Sequence, residues 1–288
     1  MMIFTKKISR FNTILLISIF GTFLSCATPE ISVISYNIRY ASPNDGVNLW
    51  EKRKGDMIES LLNIQPDVMG MQEVVHRQLL DLTSGMKDYS HVGVGREDGE
   101  TKGEYSPIFF KRQRLELKES NTFWLSETPN EISVGWDAAL ERICTYARFK
   151  DKISKEEFWL FNTHFDHIGK EARANSVRLI LSKIEEINQQ KLPVVITGDF
   201  NLTPDQQPIQ LLQVAFEDVQ QGLTTESANY GTFTGFNTET VGDQRIDYVF
   251  QKGFKVIRAD HLWLKTKEGM WVSDHHPVKT DLSIKKLN

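Results

Sequence analysis

Six short segments of the chain place polar side chains at the ends of stretches that are typical of buried strands. They are Ser35-Tyr36-Asn37, Met71-Gln72-Glu73, Asn162-Thr163-His164, Gly198-Asp199-Phe200-Asn201, Arg245-Ile246-Asp247 and Ser273-Asp274-His275. Four carboxylates, two carboxamides and two imidazoles stand out among them: Asn37, Glu73, His164, Asp199, Asn201, Asp247, Asp274 and His275. These groups suit a hard divalent cation and acid–base chemistry on a phosphate ester. If the segments meet in space, the sequence predicts a metal-dependent phosphoesterase.

Two of the segments argue most directly for a site. Asp199 and Asn201 stand two residues apart after an apolar strand, and residues i and i+2 of an extended segment point the same way. A capping turn is the alternative interpretation of this pair. Glu73 follows an apolar run, where an unpaired carboxylate is costly to bury. A bound cation would compensate that cost, and Asn37 would add a neutral oxygen ligand.

The residues around the two histidines strengthen the case that they belong to the site. Asp247 lies between the apolar Ile246 and Tyr248 and needs a partner, for which His275 is the natural choice. A carboxylate behind an imidazole fixes the tautomer of the ring. His164 by itself is more typical of a packed or hydrogen-bonded residue, and only the company of the other segments makes it a candidate.

The elements that must position these residues follow from periodicity. We expect strands at Ile31–Tyr36 and Pro193–Thr197, the latter apolar on both faces. A helix is expected over Glu51–Asn63, with Met57, Ile58, Leu61 and Leu62 facing inward. A second helix is expected over Lys170–Gln189, with Arg173 off its apolar face. Helices between buried strands favour two packed sheets with helices outside.

The first 25 of the 288 residues have the layout of an export signal. Lys6, Lys7 and Arg10 precede an apolar run, and Cys26 stands where a bacterial lipoprotein carries its lipid. An ordinary cleaved signal or an uncleaved anchor is the alternative. We expect residues 1–25 to be a lipoprotein signal peptide, 26–30 a tether and 31–288 a single domain. The protein would then be exported and lipid-anchored in the cell envelope, with the outer membrane as the expected location.

Composition restricts the remaining functions. The formal net charge is −4, which disfavours a general nucleic-acid-binding surface but allows a local cationic cleft. Cys144 is the only cysteine besides Cys26, so the domain has no internal disulfide. We interpret Cys144 as a small buried apolar residue rather than as a nucleophile.

Three motifs in particular, Gln72-Glu73, Gly198-Asp199-Phe200-Asn201 and Ser273-Asp274-His275, resemble those of the endonuclease/exonuclease/phosphatase superfamily, which has the deoxyribonuclease-I-like fold. The resemblance is to a secreted bacterial lipoprotein branch and covers nearly all of residues 31–284, with the motifs in the family's order. It implies an α/β (α+β) four-layer sandwich, in which two packed mixed β-sheets are flanked by helices.

The resemblance also implies a role for each site residue. The Mg²⁺ ligands, for which Mn²⁺ is a possible substitute, would be Asn37, Glu73 and Asp274. Asp199 would orient or deprotonate the attacking water, and Asn201 would bind the phosphate or the nucleophile. His275, held by Asp247, would contact a phosphoryl oxygen, and His164 would contact phosphate or assist the leaving group.

Substrate choice is expected to come from loops around this centre. Trp136 and Arg142, in the segment Gly135–Arg142, and Arg39 are the candidate substrate-binding residues; a surface ion pair and a packed indole are the alternative for the first two. The expected function is a Mg²⁺-dependent phosphodiesterase or nuclease-like hydrolase that uses a metal-activated water and acts as a monomer. The alternatives are a phosphomonoesterase of sugar or inositol phosphates, a sphingomyelinase-like lipid phosphodiesterase, and a non-enzymatic surface-binding lipoprotein. The expected substrate is accordingly a phosphorylated small molecule, a nucleic acid or a lipid head group.

Overall fold

In the computed structural model, two six-stranded sheets pack face to face, and helices cover both outer surfaces. The structure describes residues 1–2, 29–221, 230–242 and 244–285. Nearly all of the expected signal peptide (1–25), Cys26 and the start of the tether (26–30) lie outside these residues. Within the described ranges, no helix combines the length and the apolar character that crossing a bilayer requires.

Each sheet mixes parallel and antiparallel neighbours. The first sheet has the spatial order β13 (Phe254–His261), β14 (Val278–Ile284), β1 (Glu30–Asn37), β2 (Val68–Gln72), β6 (Ile108–Lys111) and β4 (Tyr89–Val92). The second has the order β11 (Glu217–Asp218), β12 (Asp247–Lys252), β10 (Val194–Asp199), β9 (Glu157–His164), β8 (Ile143–Asp151) and β7 (Leu115–Trp124). A separate pair is formed by β3 (Val74–Val75) and β5 (Glu104–Tyr105).

The four α-helices of the described chain lie outside the sheets, and a short 3₁₀ helix spans Gly46–Asn48. The α-helices are α1 (Trp50–Ile64), α2 (His76–Gly85), α3 (Lys170–Ile187) and α4 (Gln207–Ala215). Alternation along β1 shows how the layers form: Val33 packs between the sheets, whereas Ile34 packs with residues of α1 such as Met57. The predicted four-layer sandwich is therefore confirmed.

The buried faces of α1 and α3 contain residues other than those predicted. Leu62 of α1 is 39% exposed, and Arg53 lies on the buried face instead. Arg173 of α3 is also buried, and its guanidinium donates a hydrogen bond to the Asp166 carbonyl at 3.0 Å. Apolar periodicity missed both arginines because it treats a charged side chain as solvent-facing, although an arginine surrounded by carbonyl oxygens is stable inside.

Strand direction brings the six polar segments to one edge of the sandwich. β1 runs parallel to β2 and β9 runs parallel to β10, so their carboxyl ends lie at a common edge. β12 and β14 run antiparallel to β10 and β1, which places their starts at that same edge. Asp199 is directly paired with His164 on one side and with Asp247 on the other. The predicted convergence of the segments is confirmed.

A buried polar network joins the two sheets behind this edge. The Asn162 amide of β9 donates to the Met71 carbonyl at 2.7 Å and to the Pro107 carbonyl at 3.0 Å. Its oxygen accepts from Gln72 at 2.7 Å and from Thr197 at 2.9 Å. Every hydrogen-bonding position of the amide is thus satisfied across the sheet interface.

Candidate active site

Asp199 lies at the centre of the cluster. Its Oδ2 atom accepts a hydrogen bond from the Asn37 amide at 2.9 Å and lies 3.5 Å from His164 Nε2 and 3.8 Å from His275 Nε2. Its Oδ1 atom accepts from the backbone N–H of Asn201 at 2.9 Å. Burial raises the pKa of Asp199, but the two imidazoles and the Asn37 amide outweigh it and lower the pKa overall. The side chain is therefore an ionised proton acceptor flanked by two rings.

His275 and Asp247 form a buried pair. His275 Nδ1 lies 2.8 Å from Asp247 Oδ2, so the opposite ring nitrogen faces Asp199. Burial alone would lower the pKa of His275, but the carboxylates of Asp247 and Asp199 raise it well above its usual value. The ring is consequently a proton-bearing donor at neutral pH, as suits a contact with a phosphoryl oxygen.

Glu73 and Asn37 hold the other side of the centre. Asn37 Nδ2 donates to Glu73 Oε1 at 3.0 Å, and the backbone N–H of Tyr40 donates to Glu73 Oε2 at 2.9 Å. The Asn37 oxygen accepts from the N–H of Arg39 at 3.0 Å, which leaves it one further lone pair. Glu73 adopts a φ of 61° and Asn201 a φ of 49°. Left-handed backbone at two non-glycine residues is sparsely populated and clusters at functional sites.

The carboxylates around Glu73 fit a divalent cation. Burial in the first place, and the charge of Glu73 in addition, raise the pKa of Asp274 to about 6. The nearest guanidinium atom recorded for it, Arg39 Nη1, is 3.8 Å from Asp274 Oδ2, which is too far for a hydrogen bond. Ligand atoms of Glu73, His164 and Asp199 also lie within 4.8 Å of one another. Oxygen-rich donors with excess negative charge are the environment that Mg²⁺ or Mn²⁺ prefers.

The structure adds a carboxylate that sequence reasoning missed. Glu104 Oε2 lies 3.7 Å from His164 Nδ1, and the Glu104 carboxylate accepts two hydrogen bonds from Arg96, at 2.9 and 3.1 Å. Burial opposes its ionisation, but His164 and Arg96 lower the pKa of Glu104 to about 2. The strand β5 that carries it has only two residues, so no alternation in the sequence indicated it. His164 thus also has a carboxylate behind it, in parallel with His275.

His164 reaches Asn201 as well as Asp199. Asn201 Nδ2 lies 3.2 Å from His164 Nε2 and donates to the Phe165 carbonyl at 3.0 Å. Seven of the eight site residues predicted from the sequence therefore lie in one network of side-chain contacts. Asp274 joins it through Ser273, whose Oγ donates to the Asn37 carbonyl at 2.7 Å and lies 3.4 Å from Asp274 Oδ1. The individual roles implied by the resemblance stay predictions.

The three predicted substrate-binding residues lie in different environments. Arg142 is 5% exposed; its Nε lies 3.4 Å from Asp166 Oδ2 and its Nη2 lies 3.1 Å from His167 Nδ1. Trp136 is half-buried with a φ of 51°, and its backbone N–H donates to Glu127 at 3.2 Å. Arg39 forms an ion pair with Asp45 at 2.9 Å and stacks on Tyr40. Trp136 and Arg39 are thus the two that present accessible surface, whereas Arg142 is enclosed.

Comparisons with known proteins identify the relatives of this arrangement. The sequence profile of the Endonuclease/Exonuclease/phosphatase family matches residues 34–275. A family protein from Bacteroides thetaiotaomicron superposes with a TM-score of 0.85 at 34% identity, over 91% of this chain and 100% of that chain. A mannosyl-6-phosphatase from Bacteroides thetaiotaomicron gives 0.83 at 36% identity, over 88% of this chain and 100% of that chain.

A curated viral relative is more distant. A protein of Acanthamoeba polyphaga mimivirus is 30% identical over 160 residues, which are 53% of this chain and 59% of that protein. This chain spans about three fifths of the length of the first curated relatives that it matches.

Proposed function

We propose, because the chain belongs to the endonuclease/exonuclease/phosphatase family, that it is a divalent-metal-dependent phosphoesterase acting on phosphate monoesters of small sugars. Hydrolysis of ester bonds is the activity of the family. The observation that carries the proposal is the arrangement of Asp199 between two imidazoles, beside the carboxylate of Glu73.

The residues divide the work of hydrolysis between them. Asp199 is placed to orient the attacking water and accept its proton, since its Oδ2 atom lies within 3.8 Å of both rings and, within the described ranges, accepts only one hydrogen bond, from the Asn37 amide. The protonated His275 donates a hydrogen bond to a phosphoryl oxygen, and Asp247 holds the ring in the tautomer that permits this. His164 lies beside Asp199 Oδ2 and Asn201 lies beside His164, and both are placed to contact the phosphate or its leaving group.

Glu73, Asp274 and the oxygen of Asn37 would hold Mg²⁺, with Mn²⁺ as a substitute. When bound, such an ion supplies Lewis-acid polarisation of the phosphoryl group and offsets its negative charge. The residues fit this role because burial and the charge of Glu73 raise the pKa of Asp274, and because the Asn37 oxygen accepts only one hydrogen bond in the part of the chain that the structure describes, from the N–H of Arg39.

Two observations favour a sugar monoester. The mannosyl-6-phosphatase is matched along its whole length at 36% identity. Trp136 is half-buried, its neighbour Asp137 accepts from the N–H of Ala172 in the first turn of α3 at 2.7 Å, and an aromatic side chain is a suitable platform for a sugar ring. The phosphodiesterase function expected from the sequence is the competing proposal.

A panel of phosphate esters separates the two. Purified protein stripped with EDTA is assayed with Mg²⁺ or Mn²⁺ restored, on mannose 6-phosphate, p-nitrophenyl phosphate, bis-p-nitrophenyl phosphate and single-stranded DNA. We expect turnover of the monoesters that EDTA abolishes and either cation restores. Asp199→Asn is the inactive control, because it keeps the shape of the side chain and removes the proton acceptor. Preference for the diester or for DNA would refute the monoester assignment, and EDTA-resistant turnover would refute the metal requirement.

We also propose, from the leader sequence, that Cys26 carries a lipid that anchors the enzyme in the bacterial cell envelope. Metabolic labelling with an alkyne fatty acid tests this. Labelled wild type and unlabelled Cys26→Ser are the expected result, and equal labelling of both would refute it.

A further inference from the structure

Arg53 is a buried cation without a carboxylate partner. It lies on the inner face of α1 and is 1% exposed, and the ion pairs recorded over the described ranges do not include it. Its guanidinium instead donates to backbone carbonyls: Nε to Asn48 at 2.9 Å, Nη2 to Arg39 at 2.7 Å, and Nη1 to Ile38 at 2.6 Å and to Val272 at 3.2 Å. Burying an arginine in this way is costly unless the fixed fork of donors is used.

The carbonyls that Arg53 contacts belong to the two segments that carry the proposed metal ligands. Ile38 directly follows Asn37, and Val272 lies two residues before Asp274. These segments come from opposite ends of the chain, and a second contact between them is the hydrogen bond from Ser273 Oγ to the Asn37 carbonyl at 2.7 Å. A single Nη1 group therefore joins the end of β1 to the turn before β14.

The same guanidinium also fixes the neighbouring loop. Arg39 has a φ of 58°, and its carbonyl accepts from both Arg53 and Gln78, the latter at 2.9 Å. The guanidinium is further enclosed by the rings of Trp50, at 5.1 Å, and Phe236, at 5.7 Å. Arg53 thus has its position determined from several sides, as a positioning residue requires.

We infer that Arg53 is a positioning residue for the cation site, which acts by clamping the backbone of the Asn37 and Asp274 segments. This inference depends on the proposed function only for the presence of a cation site. A residue that merely stabilised the fold would lower stability without a selective effect on metal affinity, and this difference can be measured.

The test compares Arg53→Met and Arg53→Lys with a matched control, Met57→Ala. Met57 is one turn further along α1 and is fully buried in the apolar cluster that also contains Trp50, but its thioether makes no hydrogen bond to the ligand segments among the described residues. Mn²⁺ affinity is measured by calorimetry on the full chain, and thermal unfolding is recorded for every variant. We expect Mn²⁺ binding to weaken by about 10-fold to 100-fold in Arg53→Met and by less in Arg53→Lys, as is typical for residues that orient metal ligands. Met57→Ala is expected to unfold at a lower temperature with unchanged Mn²⁺ affinity.

Hydrogen exchange without metal provides a second readout. Amides of residues 36–41 and 271–275 should exchange faster in Arg53→Met than in Met57→Ala. If Arg53→Met does not fold, Arg53→Lys carries both measurements. Wild-type Mn²⁺ affinity in a folded Arg53 variant would overturn the inference, even in an active enzyme. Conversely, a wild-type protein that binds Mn²⁺ but hydrolyses no ester of the panel would overturn the proposed function and leave the role of Arg53 standing.

Discussion

The pair of His275 and Asp247 offers the sharpest test of the catalytic assignment. Asp247→Asn keeps the shape of the side chain and removes one negative charge from a fully buried position. Asp247 Oδ1 has no hydrogen-bond partner within the described part of the chain, so the amide NH2 can take its place while the amide oxygen accepts from His275 Nδ1. The fold should therefore tolerate the change, while His275 loses the carboxylate that lies 2.8 Å from its Nδ1.

The magnitude follows from the loss of a charge-assisted hydrogen bond. Such a bond contributes about 1.5–3 kcal/mol, against about 0.5–1.5 kcal/mol for a neutral one. Loss of the Asp247 carboxylate also lowers the pKa of His275, because the charged imidazolium is then less stabilised. Because positioned acid–base groups contribute about 10²–10⁴-fold to rates, we expect kcat to fall by about 10²-fold or more.

The pH profile gives the direction of the effect. His275 acts in its protonated form, so activity is lost as the pH rises through its pKa. Burial lowers the pKa of His275 in the wild type, but the carboxylates of Asp247 and Asp199 outweigh it and raise this pKa overall. Asp247→Asn should therefore move the alkaline limb of the kcat profile to lower pH. The assay is the pH dependence of kcat on mannose 6-phosphate. Asp151→Asn is the matched control, because Asp151 is equally buried and pairs with Arg114 at 2.8 Å at the far end of β8.

The double variant Asp247→Asn/His275→Gln decides whether the pair acts as a unit. Residues that act together lose little more when both are changed than when one is. Additive losses, or turnover of folded Asp247→Asn within about threefold of the wild type, would refute the reasoning.

Three further predictions concern other buried polar residues. Glu104→Gln should lower kcat about 10-fold, less than Asp247→Asn because the carboxylate is 3.7 Å from His164; wild-type kcat on the monoesters would contradict a role for Glu104. Asn162→Leu should lower the unfolding free energy by about 3 kcal/mol or more, since two carbonyls and two side chains lose their partner, and a urea titration that shows no loss would contradict this. Burial lowers the pKa of His261 to about 3 in the folded protein. As the pH falls below about 6.5, His261 therefore binds a proton in the unfolded chain before it does so in the folded one, and the folded state loses stability. The wild type should therefore lose about 1 kcal/mol more stability than His261→Leu between about pH 6 and pH 5 in urea titrations, and equal losses would contradict the prediction.

The site was largely predictable because its residues end strands. An apolar run that stops at a polar residue marks a sheet edge. Strand direction then brings these residues to the same edge, since Asn37, His164 and Asp199 all end strands that run the same way. Glu73 was identified for the same reason, as the residue after β2. Sequence therefore predicted both the layers and the members of the cluster.

The residues that were not predicted are those whose burial or position in the site depends on a partner far away in the sequence. Arg53 and Arg173 are charged residues on helix faces that otherwise read as amphipathic, and only the carbonyls opposite them explain their burial. Glu104 lies on a strand of two residues that pairs with β3, so no local period marks it. Arg142 is enclosed by the Asp166 carboxylate, which is 24 residues away in the sequence, and its role in substrate binding stays a prediction.

The site residues are divided between two sheets. This division explains why the contact between the sheets is polar next to the site, although a purely apolar core would be easier to form. β1 and β2 bring Asn37 and Glu73, whereas β9, β10 and β12 bring His164, Asp199 and Asp247. Apolar contacts between sheets are non-directional and allow small sliding motions, but a hydrogen bond fixes two groups to within a fraction of an ångström. Asn162 binds backbone carbonyls of the first sheet from a strand of the second, and Ser35 Oγ accepts from the N–H of Gly198 at 2.9 Å in the other direction. These directional contacts lie next to Asp199 and Glu73. The polar groups are therefore buried at the place where the distance between the site residues of the two sheets must stay fixed.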